Sequence, residues 1–233
     1  MTPEEKYFIH TRPEMVSLVP NHAQRILDVG CSEGYFGQAL KSRSEVEVWG
    51  IEPYAAAAEE AKKRIDHVLE GPVEAHIDQL PNHYFDVITC NDVLEHMVNP
   101  FKILETFHAK LAPGGCVVAS LPNMRYWEAL VQLVFQKDWH YTSCGTLDRT
   151  HLRFFTEKSI RRMFEEAGYQ IHLLKGINQF GNHRRFPFHW ATMGWGFGWL
   201  RDTSYLQFAC IATPLPKRVT ASTDHPIAAP SGV

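Results

Sequence analysis

The sequence predicts an α/β protein built on a doubly wound, mostly parallel sheet. Three observations point there. Short apolar runs of strand length recur along the chain, at 25–29, 46–52, 67–70, 85–90 and 116–121. Helix-like segments stand between them, and alternating strands and helices favour a parallel sheet with helices on both faces. The first run ends in a glycine-rich turn, Asp28-Val29-Gly30-Cys31-Ser32-Glu33-Gly34-Tyr35-Phe36-Gly37, which opens into a helix.

Composition bounds what this domain does. The 233 residues are 45% hydrophobic and 21% charged, enough for one enzyme-sized core spanning 1–213. A net charge of −3 gives no reason for a polyanion partner, so nucleic acid is disfavoured as substrate. No apolar run reaches the roughly 18 residues of a membrane span. Met1 opens a polar, charged segment rather than a signal peptide, which predicts a cytoplasmic protein. Cys31, Cys90, Cys116, Cys144 and Cys210 are scattered and form no C-x-x-C pair, as reduced core thiols do. The thirteen histidines include no H-x-x-x-H pair flanking a glutamate, so no metal is expected.

In chain order, residues 1–24 read as a helical prelude. Pro3-Glu4-Glu5 suits a helix start, and Met15-Val16-Ser17-Leu18-Val19 a second short helix. Strand one, Arg25 to Val29, contains Asp28, an acid that is costly to bury unless hydrogen-bonded. Gly30 and Gly34 let the backbone approach a ligand, and the N–H groups at the helix start favour a polar or anionic part of it. The spacing G-x-x-x-G-x-x-G differs from the dinucleotide fingerprint, which needs glycine where Ser32 and Tyr35 stand. A Walker loop is excluded by the missing Gly-Lys-Ser/Thr ending. Strand two ends at Glu52, 22 residues beyond Gly30, where a carboxylate can accept hydrogen bonds from both hydroxyls of a ribose.

This Asp-x-Gly-x-x-x-Gly loop with its downstream acid resembles class I S-adenosylmethionine (SAM)-dependent methyltransferases. The resemblance implies a Rossmann-like, seven-stranded sheet, mostly parallel with the last strand antiparallel. It also implies SAM as methyl donor and S-adenosyl-L-homocysteine (SAH) as product. It implies cofactor contacts from Asp28, Gly30, Cys31, Ser32, Gly34, Tyr35 and Phe36, and from Glu52 and Pro53, with Tyr54 along the adenine. Related enzymes often carry an adenine-binding acid just after the next glycine. Here Pro72 stands there, so the backbone at Val73 would substitute. Strand four runs into Asn91-Asp92-Val93-Leu94-Glu95-His96, which resembles the D-V-L-E-H segment of small-substrate methyltransferases. Asn91, Asp92 and Val93 would then lie at the methionyl part, while Glu95 and His96 either face the acceptor or cap the next helix. In the prelude, Tyr7 or Arg12 would reach the methionyl carboxylate, or else Tyr7 packs and Arg12 stays solvated.

The second half is read in the same way. Residues 100–111 are an amphipathic helix, Pro113-Gly114-Gly115 a turn, and 116–121 strand five. Residues 124–135 read as an apolar helix. With the stretches 122–155 and 176–202 it would form a substrate-side lid and insertion. The loop 139–156 resembles the L-D-x-T-H-x-R-F-F-T signature of bacterial methyltransferases near polysaccharide and glycan biosynthesis. Ubiquinone-type O-methyltransferases carry a related His-x-x-Arg/Lys-x-Phe pattern. Thr156 is an N-cap for a helix ending at Gly168. Strands follow at 169–175 and 205–213, and 214–233 is a disordered tail by composition. The aromatic insertion between these strands lines a pocket, packs on itself, or forms a homodimer contact.

The chemistry implied is in-line methyl transfer, which relies on alignment and exclusion of water. A hydroxyl acceptor also benefits from a positioned base. His151 is the first candidate, with His96 and Asp148 as alternates; equally, His151 pins the loop by a structural hydrogen bond. The acceptor expected first is a saccharide or glycan-biosynthesis intermediate. A phenolic or quinone-like small molecule comes second, and an inactive SAM-binding partner protein third.

Overall fold

The computed structural model describes residues 11–179 and 198–216. The helix expected at Pro3, with Tyr7, most of the aromatic insertion (180–197) and the tail from 217 lie outside the described residues.

The apolar runs form the strands. β1 (Arg25–Val29), β2 (Glu47–Glu52), β3 (His67–Glu70), β4 (Phe85–Asn91) and β5 (Leu111–Pro122) are parallel. β6 (Tyr169–Gln179) forms the far edge, and β7 (Tyr205–Pro214) inserts antiparallel between β5 and β6. The order is β3-β2-β1-β4-β5-β7-β6, one seven-stranded sheet. The expected fold class is the observed one, with the last strand alone reversed.

Side chains alternate between two cores, as the pleat requires. Leu27, Val29, Ile88, Cys90, Val117 and Leu121 face one side, and Ile26, Val48, Val87 and Val118 the other. α5 (Pro100–Lys110) and α7 (Glu157–Glu166) cover the first face through Ile103, Leu104, Phe107, Ile160, Met163 and Phe164. α1 (Pro13–Val16) and α2 (Tyr35–Arg43) cover the second through Met15, Phe36 and Leu40. Short helices α3 (Ala55–Ala61) and α4 (Val73–His76) lie in the second and third crossovers.

Local signals set the boundaries. The Asn99 side chain accepts a hydrogen bond from Lys102 N, with Pro100 in the first turn of α5. Thr156 caps α7 in a reciprocal box with Ser159. The expected turn at Pro113–Gly115 is instead a bulge inside β5: Phe85 pairs with Leu111 and Val87 with Cys116. The helix expected over 124–135 is shorter. α6 (Trp127–Val131) passes into a π-turn over Gln132–Gln136, closed by Lys137 at φ 55°, and Leu133, Val134 and Phe135 face outward. Cys31, Cys90, Cys116 and Cys210 are buried and Cys144 exposed, all free thiols.

Candidate active site

The carboxyl ends of β1, β2, β4 and β5 converge on one edge of the sheet, where ligands collect in open α/β folds. At the tip of β1 the chain leaves the ladder with Gly30 at φ 71°, Ser32 at φ 51° and Gly34 at φ 81°. A Cβ on Gly30 would stand 2.5 Å from Val93 Cγ2, so only glycine lets the loop lie against the turn after β4. Gly30 N and Cys31 N donate to Ile51 O, tying the loop to β2.

Glu52 closes this loop. Ser32 N donates to its Oε2 (2.8 Å) and Tyr54 N to its Oε1 (3.0 Å). The side chain is 4% exposed, and burial raises its pKa against these two donors. Pro53 and Tyr54 beside it are exposed, Tyr54 at 65%. Asp28 sits one layer deeper and is buried. Thr89 Oγ1 donates to it at 2.7 Å, and burial pushes its carboxyl up to about 7.

Some expected contacts point elsewhere. Phe36 is packed in the second core. Tyr35 lies under the Arg64 guanidinium, 4.1 Å from the ring centroid, and Arg64 also donates to its hydroxyl. The Cys31 thiol lies against Gly50, and Val73 is a core side chain, so both offer a ligand only their backbone.

The turn after β4 carries the other half of the site. Asp92 is held at φ 56° by a network. Ser120 Oγ and Gln207 Nε2 donate to its carboxylate (2.8 and 2.6 Å), and Arg12 Nη1 pairs with it at 2.5 Å. Arg12 also pairs with Glu14; burial opposes its charge, but Asp92 and Glu14 outweigh that. Arg12 is therefore neither solvated nor free: it clamps the segment before α1 onto the β4 turn. The Asn91 side-chain amide is buried nearby, and neither its nitrogen nor its oxygen has a partner among the described residues.

Beyond this turn, Glu95, His96 and His151 come together. One donor atom from each lies within 4.8 Å of the other two. His151 Nδ1 lies 3.2 Å from Thr146 O, and His96 Nδ1 lies 3.2 Å from Thr150 O. A carbonyl only accepts, so each Nδ1 carries a proton, and in the neutral ring the lone pair is on Nε2. The two rings meet edge to face at 4.8 Å, and His151 Nε2 is 4.0 Å from Glu95 Oε1. Burial, then His96, holds His151 below the usual histidine range. Glu95 is 1% exposed with neither oxygen partnered among the described residues; burial, then Asp92, raises its pKa well above normal. Asp148, the other candidate, accepts from Thr150 N and Oγ1 in a local turn.

The sequence alone leaves Glu95 between two roles and carries no signal for Ser120 or Gln207, which reach Asp92 from β5 and β7. Orphaned polar atoms at Ser32 Oγ and Asn91, with lone pairs left on Glu52, fit a ligand carrying ribose hydroxyls and an amino-acid end.

A profile of the methyltransferase domain family matches residues 5–174. Among curated proteins, the chain is similar to the ubiquinone biosynthesis O-methyltransferase of Aeromonas salmonicida, 30% identical over 168 residues and covering 66% of each chain. That of Vibrio cholerae is 28% identical over 163 residues, 66% of this chain and 64% of the relative. The chain thus spans just under two thirds of the length of these relatives. Among solved structures, a SAM-dependent methyltransferase from Archaeoglobus fulgidus aligns with TM-score 0.64 at 16% identity, covering 90% of this chain and 97% of that one. A plantazolicin methyltransferase in complex with SAH aligns with TM-score 0.62 at 16% identity, covering 91% and 87%. These two show likeness of fold.

Proposed function

This chain belongs to the methyltransferase domain family, and from that membership we propose that it is a SAM-dependent O-methyltransferase of a small-molecule hydroxyl. The observation behind the proposal is the adjacency of two parts: the Gly30–Gly34 loop closed by Glu52, and the Glu95–His96–His151 cluster just past the same β4 turn.

SAM, when bound, supplies a methyl group on a sulfonium that is its own leaving group. Glu52 would hold the ribose, using lone pairs left after Ser32 N and Tyr54 N. Tyr54 would cover the adenine, and Asn91, whose side-chain amide has no partner among the described residues, would meet the methionyl end. The Asp92 network keeps the turn in its left-handed conformation and so sets the distance between loop and cluster. The acceptor oxygen must shed a proton as it attacks; the cluster, with two free Nε2 lone pairs and a buried carboxyl, is where that happens. That oxygen's lone pair would take the methyl carbon, and SAM would keep the carbon–sulfur pair on sulfur and leave as SAH.

The acceptor we favour is a phenolic or quinone-like ring. The curated relatives named above are ubiquinone biosynthesis O-methyltransferases, which moves this acceptor ahead of the saccharide expected first. The loop resemblance to glycan-associated enzymes keeps a saccharide as the second reading.

The test pairs SAH calorimetry with turnover on catechols, hydroxyquinones and sugar hydroxyls. Binding with transfer to a phenol is expected, and His151→Ala should lower turnover by about 10²-fold or more while leaving SAH affinity unchanged. Transfer only to sugars selects the second reading. Binding without transfer to any acceptor points to an inactive partner protein.

A further inference from the structure

A groove of about 730 Å³ lies over β6 and β7, walled by Arg125 beyond β5 and by the first turn of α7. None of its lining residues comes from the glycine loop, the β4 turn or the Glu95 cluster. We propose that this groove binds a nucleoside diphosphate, with Lys158, Lys175 and Arg201 on the phosphates and the Tyr205 ring under the base. The site is separate from the methyl-donor site and stands without the methyl-transfer reading.

Charge points to the phosphates. The chain as a whole carries a net charge of −3, yet four basic side chains and only two acidic ones line this groove. Both acids are already engaged. Asp202 accepts from Arg125 Nε (2.5 Å) and Nη2 (3.1 Å), a bidentate pair. Glu157 faces Arg161, one turn along α7, at 3.9 Å. Lys158, Lys175 and Arg201 are exposed, and none of them has an ion pair among the described residues. They come from three separate elements: α7, β6 and the 3₁₀ turn Gly198–Ser204. Three like charges brought to one concavity repel one another, and an anion with several acceptor oxygens relieves that repulsion. A diphosphate offers each of the three donors its own oxygen, which a single carboxylate does not.

The floor points to the base. A Cβ on Gly176 would lie 2.1 Å from Tyr205 Cγ, so the Tyr205 ring rests directly on the β6 backbone. One face is thereby held while the residue still lines the groove. Leu174 and Phe208, both packed on the first core, extend the apolar floor beside it. A flat base stacks on such a ring without any hydrogen-bond readout. The frame is also fixed in advance. Asn123, buried at the end of β5, donates through Nδ2 to Asp202 O (2.8 Å) and Tyr205 O (2.9 Å). That pins the turn carrying Arg201 and sets Tyr205, so little ordering is left for a ligand to impose.

The experiment uses the full chain saturated with SAH, which keeps nucleotide out of the methyl-donor site. UDP, uridine and inorganic pyrophosphate are titrated by calorimetry at fixed ionic strength. UDP should bind about tenfold more tightly than either fragment, since it alone engages both the cations and the ring. Lys175→Gln and, separately, Arg201→Gln should each weaken UDP by about fivefold or more, and Tyr205→Ala should bring it down to the affinity of pyrophosphate. Lys63→Gln, just past α3 toward the opposite edge of the sheet, should leave UDP binding unchanged. Unaltered SAH affinity in each variant shows that it has folded. Wild type that binds no UDP overturns the proposal. So does UDP binding that neither Lys175→Gln nor Arg201→Gln weakens, or pyrophosphate binding as tight as that of UDP. If the chain binds no SAH, the methyl-transfer reading fails, while the same titration still decides this one, with circular dichroism as the check on folding.

Discussion

Replacing Glu52 with alanine tests the cofactor site most directly. An ionised carboxylate offers about four lone-pair positions. Two are taken by Ser32 N at 2.8 Å and Tyr54 N at 3.0 Å, which leaves one on each oxygen for a ribose hydroxyl. A hydrogen bond to a charged group contributes about 1.5–3 kcal/mol. Losing two therefore costs about 3 kcal/mol or more, a rise in Kd of at least ~10²-fold for SAH. The loop also loses its tie, because the two backbone donors are left unpaired, so the cradle loosens as well as losing its partner. Calorimetry with SAH and with its 2′-deoxy analogue separates these effects. Wild type should lose about tenfold or more on removal of the 2′-hydroxyl, while Glu52→Ala, already lacking the acceptor, should lose little further. A change under threefold for Glu52→Ala would refute the reasoning, as would an equal penalty for the deoxy analogue in both proteins.

Three further outcomes follow from the geometry. Gly30→Ala places a Cβ 2.5 Å from Val93 Cγ2 at φ 71°, and overpacking with backbone strain should cost about 2–4 kcal/mol. That is a Tm fall of roughly 4–16 °C, partly restored by Val93→Ala; an unchanged melt would show that the loop relaxes freely. Asp28 has its folded pKa raised from 3.8 to about 7, so its stabilising effect is full below pH 4 and lost as pH rises through 7. Between pH 4 and 8 this group should cost wild type as much as about 4 kcal/mol. Denaturant unfolding of Asp28→Asn across that range should be flatter and, at pH 8, show the higher stability; parallel curves would count against a raised pKa. Thr156→Ala removes one half of the α7 capping box and should cost about 1 kcal/mol in chemical denaturation, with Thr156→Ser within a few tenths. Equal losses for both would mean that the hydroxyl is not the cap.

Much of this fold was legible in one dimension. The positions of β1 to β4, the left-handed glycine loop, Glu52 at the tip of β2 and the Thr156 cap are all local statements. A buried strand needs a run of apolar residues, a tight turn needs glycine, and a cap needs a short polar side chain. Such needs are met by neighbours along the chain, so they leave a mark in the order of residues. The Pro113–Gly115 segment shows where this stops: the residues say turn, but pairing with β4 makes them a bulge in a longer strand. The direction of side chains was equally hidden. Phe36 follows the loop in sequence yet faces the core, and Arg12 is spent on Asp92. The meeting of Glu95 and His96 with His151, and of Asp92 with Ser120 and Gln207, joins residues from distant segments. Contacts of that kind depend on how the strands are ordered and how a loop folds back over them. Local propensity acts over a few residues and holds no record of such long-range closures, so the chemistry of the acceptor side appears only once the sheet has been assembled.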